Sequence, residues 1–277
     1  MGCSLLVLDE GEYSGGHRED AGVDGSADGA PPEDAAHDTS HRVEDGGPDG
    51  DAGSSAYANT VLADSPVLYL RFGESSGTTA RAVVGVDGAY GVAGYSLGAP
   101  GAIAGDPDTA VTLTDGAGRF IVPDFAFDGV APFSVEIWAK PAQANTDLGF
   151  VVDHTFYAEP QRAGWSLFVG ESGVAYDRWA TVDIRTSLRR PALAANQWHH
   201  VVGTFDGTRQ RLYVDGARIA EGTSDVALPS RASALTIGNQ SCDCGGVNAF
   251  IGALDELAIY DKALTDTQIS AHFAAAK

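Results

Sequence analysis

Two Asp-Gly dipeptides, Asp206-Gly207 and Asp215-Gly216, constrain this chain more than any other feature. Tight hairpin turns need positive φ, which glycine adopts at little cost and aspartate tolerates. Each dipeptide follows a run of β-favouring residues, Trp198-His199-His200-Val201-Val202-Gly203-Thr204-Phe205 and Arg211-Leu212-Tyr213-Val214. Two strands therefore join at the first turn, and the chain leaves through the second.

Short runs of the same kind recur from Thr60 onward. Strands are predicted at Val67–Phe72, Ala110–Leu113, Arg119–Val122, Phe133–Lys140, Trp165–Val169, Trp179–Ile184, Trp198–Phe205, Arg211–Val214, Leu235–Gly238 and Leu254–Tyr260. In Phe133–Lys140, Phe133, Val135, Ile137 and Ala139 alternate onto one face, as a half-buried strand requires. Helix is predicted only at the end. There Thr265 and Gln268 form a capping box ahead of Ile269, His272 and Phe273. The predicted fold is all-β, an antiparallel β-sandwich over residues 60–277 closed by a short C-terminal helix.

Residues 1–59 read differently. Fourteen acids and two arginines fall between Asp9 and Gly53, a balance of −12 within a total of −21. With few large apolar side chains, such a stretch cannot offset its ordering entropy and reads as a disordered acidic spacer. An acidic tail that buffers calcium or binds a partner is the alternative. Nucleic acid is disfavoured as a partner, because phosphate binding needs clustered positive charge.

The hairpin's W-H-H-V…T-F-D-G…L-Y-V-D-G wording resembles the laminin G-like, concanavalin A-type lectin/glucanase jelly rolls. Phe72-Gly73-Glu74-Ser75-Ser76-Gly77-Thr78-Thr79-Ala80 is similar to that family's opening. Pro100-Gly101-Ala102-Ile103-Ala104-Gly105-Asp106 and Phe133–Trp138 are similar to its middle, and Gly252–Tyr260 to its closing strand. The resemblance implies a jelly-roll sandwich spanning about Ala63 to Ala274. It also implies a structural Ca2+ site in which Asp255 takes part, with Asp87 or backbone carbonyls as substitute for a family aspartate whose place Ala82 holds. The other reading of Asp255 is a structural carboxylate. Alternation along the strand sets Asp255 beside Leu257 and Ile259, where an ionised group needs a partner.

At the N-terminus, Met1-Gly2-Cys3-Ser4 resembles the end of a bacterial lipobox, with Cys3 as the lipidated residue. The plain alternative is the start of a cytosolic protein. Cys242 and Cys244 form a local disulfide in an oxidising compartment, or stay two thiols in the cytosol.

Glucanases of this architecture carry a Glu-x-Asp-x-x-Glu strand motif. The sequence contains no Glu-x-Asp followed by such a glutamate. A non-catalytic module is therefore expected, not an enzyme. His199 and His200 are adjacent, so they point to opposite faces and are read as structural. Candidate ligand contacts are Tyr157, Trp165, Tyr176, Arg178 and Trp179, since aromatic faces stack on sugar rings. For Trp165 and Trp179 a core role is the alternative. Asn239 and Asn248 add polar loop contacts. The expected function is recognition of a glycan or a cell-surface or envelope protein, outside the cell or lipid-anchored on its outer surface. The rival is a structural, adhesive envelope module that binds no sugar.

Overall fold

A computed structural model describes residues 55–123, 125, 128–142, 148–158, 161–170, 173–181, 183–228, 233–241 and 248–277, without the side chains of 148, 157, 158 and 161. In chain order the elements begin with helix α1 (Ala56–Ala63), β1 (Leu68–Leu70), β2 (Thr79–Ala80), β3 (Ala82–Val84), β4 (Gly88–Tyr90) and β5 (Tyr95–Pro100). Next come β6 (Thr109–Leu113), β7 (Phe120–Val122), β8 (Phe133–Pro141), β9 (Leu148–Ala158), β10 (Gln161–Gly170) and β11 (Gly173–Trp179). The chain closes with β12 (Arg185–Arg190), β13 (His199–Phe205), β14 (Arg209–Val214), β15 (Ala217–Thr223), β16 (Leu235–Ile237), β17 (Gly252–Tyr260) and helix α2 (Asp266–Ala275).

The strands build two antiparallel sheets. A nine-stranded sheet runs β15-β14-β13-β8-β17-β1-β3, with β6 also pairing β17 and β5 pairing β6. An eight-stranded sheet runs β12-β11-β10-β9-β16-β7-β4-β2. Both Asp-Gly turns form as expected. Asp206 Oδ1 accepts from the Thr208 and Arg209 amides. Asp215 and Gly216 take φ of +50° and +78° between β14 and β15, the signature of a two-residue I′ loop.

Phe133, Val135, Ile137 and Ala139 do share a face. They pack in the main core with Trp165, Leu167, Val169 and Tyr176 of the other sheet. The opposite face of the nine-stranded sheet is covered as well. Tyr69, Trp138, Val202, Tyr213 and Tyr260 form a second cluster there with Tyr57 and Val61 of α1 and Ile269 of α2. The predicted capping box is present at α2, where Thr265 Oγ1 and Gln268 serve each other's backbone amides. His200 is buried and stacked on Trp138, while His199 holds the Asp215 carboxylate from Nδ1 at 2.9 Å.

Three local features differ from the sequence reading. Helix α1 was not expected, and Thr60 falls in its middle; Ser55 Oγ, accepting from Ala58 N, is its N-cap. Trp179 to Ile184 is not a strand. Trp179 ends β11, and Thr181 Oγ1 accepts from the amides of Asp183 and Ile184, turning the chain before β12. Strand β17 is bulged: Asp255 pairs with Trp138 and Ala258 with Glu136, leaving one residue extra, and Glu256 has φ +52°. The bulge breaks the alternation that set Asp255 beside Leu257 and Ile259. Leu254, not Asp255, joins those two in the core between the sheets.

Candidate ligand-binding face

Helices cover the outer side of the nine-stranded sheet; the outer side of the eight-stranded sheet is the other candidate face, part of it buried by Phe150, Phe168 and Ala175. Strand register defines it. Thr236 of β16 lies opposite Asp153 of β9, Asp153 opposite Ser166 of β10, Ser166 opposite Asp177 of β11, and Asp177 opposite Ser187 of β12. Because Trp165, Leu167 and Tyr176 point into the core, these alternate residues point away from it. The result is one polar row across five strands, in which acids and hydroxyls alternate.

The row is closely hydrogen-bonded. Ser166 Oγ donates to Asp153 Oδ1 and Ser187 Oγ to Asp177 Oδ1, each at 2.5 Å. Asp153 also accepts from Thr155 Oγ1 at 2.9 Å and from the Ser241 amide at 2.7 Å. Both aspartates are fully buried. Burial pushes the Asp177 carboxyl up, against the Ser187 hydrogen bond and the arginines of β12.

Two features flank the row. Toward β7, a cavity of about 240 Å³ is lined by Ile121, Thr155, Phe156, Ser233, Thr236 and Ser241, a mixture of hydroxyls and apolar groups. Toward β12, Trp179 carries two guanidinium groups over its indole, Arg162 at 4.2 Å and Arg185 at 4.7 Å.

The residues predicted as ligand contacts divide. Trp179 is on this face. Trp165 and Tyr176 are not; both are buried between the sheets. Arg178 also points inward, 3.3 Å over the Phe205 ring, with Nη2 donating to Gly129 O and Nη1 to Ser224 Oγ. Their strand parity, opposite to that of Trp179 and Asp177, is the physical reason. Tyr157 lies opposite Arg162 in β9, but its side chain is outside the described set. Asn239 spends its amide inside the protein, donating to Gly116 O and accepting from Gln240 N. Asn248 is exposed in the left-handed region at φ +71°. Cys3, Cys242 and Cys244 lie outside the described residues.

Asp153, Ser166, Asp177 and Ser187 were missed by sequence reasoning, although a signal exists. Asp153 and Ser166 each interrupt an apolar run, Phe150-Val151-Val152 and Leu167-Phe168-Val169, and a polar residue there calls for a cross-strand partner.

A second acidic group surrounds the β17 bulge. Asp108, Asp255 and Glu256 each offer one carboxylate oxygen, all within 4.8 Å of one another. Asp87 is not among them; it is exposed and accepts from Ala82 N at 2.8 Å, closing the β3–β4 turn. Arg71 serves the group, with Nη2 2.9 Å from Glu256 and Nε 3.0 Å from Asp108, and with Nη2 also 2.5 Å from Asp106. Asp255 Oδ2 accepts from Ala102 N at 2.7 Å, whereas its Oδ1 is buried without a hydrogen-bond partner. A Cβ at Gly101 would approach Asp255 Oδ2 to 3.1 Å, so glycine keeps the approach open. Burial drives both Asp255 and Glu256 toward the protonated form, and for Asp255 the Glu256 charge adds to it. One guanidinium for four acids and an orphaned carboxylate oxygen suit a hard cation with oxygen ligands.

Two stacked antiparallel sheets with a built polar face define a lectin-type jelly roll. The sequence pattern of the concanavalin A-like lectin/glucanases superfamily matches residues 114–270, and the chain belongs to that family. No curated protein matches it. Among solved structures it is similar to the binding domain of Paraclostridial mosquitocidal protein 1, at 16% identity and a TM-score of 0.59, over 76% of this chain and 52% of that one. It is also similar to the botulinum neurotoxin serotype D ligand-binding domain in complex with N-acetylneuraminic acid (16% identity, TM-score 0.60, 79% and 52%). A third is the Trypanosoma rangeli sialidase in complex with the inhibitor DANA (15%, 0.56, 75% and 32%). The chain thus spans about half the length of the two toxin domains it matches.

Proposed function

We propose that this chain is a non-catalytic carbohydrate-binding module whose ligand sits on the outer face of the eight-stranded sheet. The observation that carries this reading is the cavity lined by the hydroxyls of Thr155, Ser233, Thr236 and Ser241, which the buried polar row underlies. Hydroxyls held rigidly around a cavity suit the many weak donors and acceptors of a sugar, and the cavity is of the order of one ring in size. A binding role rather than hydrolysis is favoured because Asp153 is already occupied by three donors and is shut from water. The toxin-domain likeness supports the same class, one such domain being solved with a sialic acid. Such a module works outside the cell or on its surface.

Calcium belongs to this reading as a structural ion at Asp108, Asp255 and Glu256, with the Asp255 Oδ1 lone pairs as the open ligand. It would neutralise the acids that fix the loop 101–108 to β17.

A glycan array probed with the full chain and with the Thr155→Val/Ser241→Ala variant tests the sugar reading. Signals that fall at least tenfold in the variant support it. No reproducible signal on any glycan overturns it, in favour of an adhesive module.

A further inference from the structure

The outer face of the eight-stranded sheet is locally basic in a chain of net charge −21. Arg162 extends from β10, and Arg185 and Arg189 from β12, onto the same side as Trp179 and Asp177. Asp153 and Asp177 are the carboxylates that the described strands contribute there, and both are buried. By contrast the side chains of Arg185 and Arg189 are 44% and 51% exposed. On the strands at this end of the face the guanidinium groups are exposed and the carboxylates are not.

Arg185 and Arg189 keep donors to spare, although Arg189 Nε donates to Ser187 Oγ at 3.2 Å. Arg185 Nη1 stands 3.9 Å and Arg189 Nη2 3.6 Å from Asp177 Oδ2, beyond hydrogen-bond reach, and that oxygen has no hydrogen-bond partner. Arg185 is held by its stack on the indole of Trp179, which orients a guanidinium without using its in-plane N–H groups. Two forks two residues to either side of Ser187 suit a planar anion bidentately. Screening over about 8 Å at physiological ionic strength leaves this local charge, not the net charge of the chain, to decide what binds.

We infer that the ligand is an acidic saccharide whose carboxylate is taken by Arg185 and Arg189. This rests on the carbohydrate-binding reading above.

The test is an array in which each acidic oligosaccharide stands beside its neutral form: sialylated with desialylated, galacturonate and glucuronate with their methyl esters. It is probed with the full chain and with Arg185→Gln/Arg189→Gln. The expected result is a signal at least tenfold stronger on acidic members, lost in the variant while its melting temperature stays unchanged. Arg185→Lys/Arg189→Lys is expected to recover only part, because lysine lacks the planar fork. Equal signals on acidic and neutral members overturn the inference and leave a neutral sugar as the ligand. An acid preference that survives in the Gln variant overturns the role of these two arginines. Silence on every member overturns the inference together with the carbohydrate reading.

Discussion

His272 of α2 holds Nδ1 2.9 Å from Glu136 of β8 and Nε2 3.0 Å from Asp64 at the end of α1. One imidazolium thus ties both helices to the nine-stranded sheet. His200 and the Tyr260 hydroxyl also serve Glu136. Despite full burial, the histidines hold the Glu136 carboxyl down at about 2. Burial opposes the charge on His272, but Glu136 and Asp64 raise its pKa above 6.5.

Stability should therefore depend on pH on both sides. The Glu136 contribution is complete above its ordinary 4.5 and is lost as pH falls toward about 2. The His272 contribution is complete below 6.5 and is lost as pH rises through its raised value. Glu136→Gln should cost about 3–5 kcal/mol, since it removes one partner of a buried ion pair. His272→Gln should flatten the alkaline limb. Urea melts from pH 3 to 9 check this, and an alkaline limb unchanged in His272→Gln would refute it.

Around the β17 bulge the sign is reversed. Burial raises the Asp255 and Glu256 carboxyls, so their contribution is present at acid pH and is lost as pH rises through those values. A bound cation removes that loss. Calcium should raise the melting temperature by several degrees at pH 8 and by less at pH 5.5, relative to excess chelator. Scanning fluorimetry decides, and an equal or absent shift at both values removes the ion.

Asp255→Ala should lower stability by about 1–3 kcal/mol, because it strands the Ala102 amide. Asp255→Asn, which keeps an oxygen for Ala102, should recover part of this in chelator but none of the calcium response. Chemical denaturation with and without calcium separates the two effects.

The two tryptophans offer a paired comparison. Trp165→Ala empties the core between the sheets and should cost about 3–5 kcal/mol. Trp179→Ala should cost less and should instead free Arg162 and Arg185, weakening saccharide binding. Equal stability losses, measured by denaturant titration, would contradict their opposite orientation.

Much of the sandwich was legible because alternation and turn chemistry are local. Phe133 to Ala139 and both Asp-Gly turns behave as their residues dictate. Face assignment was harder wherever the count of two fails. The extra residue at Glu256 reverses which neighbours Asp255 joins, and no local signal marks a bulge. Trp165, Arg178 and Trp179 look alike as sugar contacts; only the register of β10 against β11 tells inside from outside. The polar row is a property of five strands read crosswise, so Asp153 and Asp177 gain meaning from partners many residues away. Helix α1 lacks a strong apolar stripe, and its stability comes from Tyr57 and Val61 packing on distant strands.

Trp138 receives the Tyr57 ring of α1 at 6.1 Å and the Lys277 ammonium, just past α2, at 5.6 Å. Entry and exit therefore share a single docking point on the helix-covered side. Spliced between other sequences, the unit would behave like a bead on a hook. It could be inserted or grafted without separating the flanking chain.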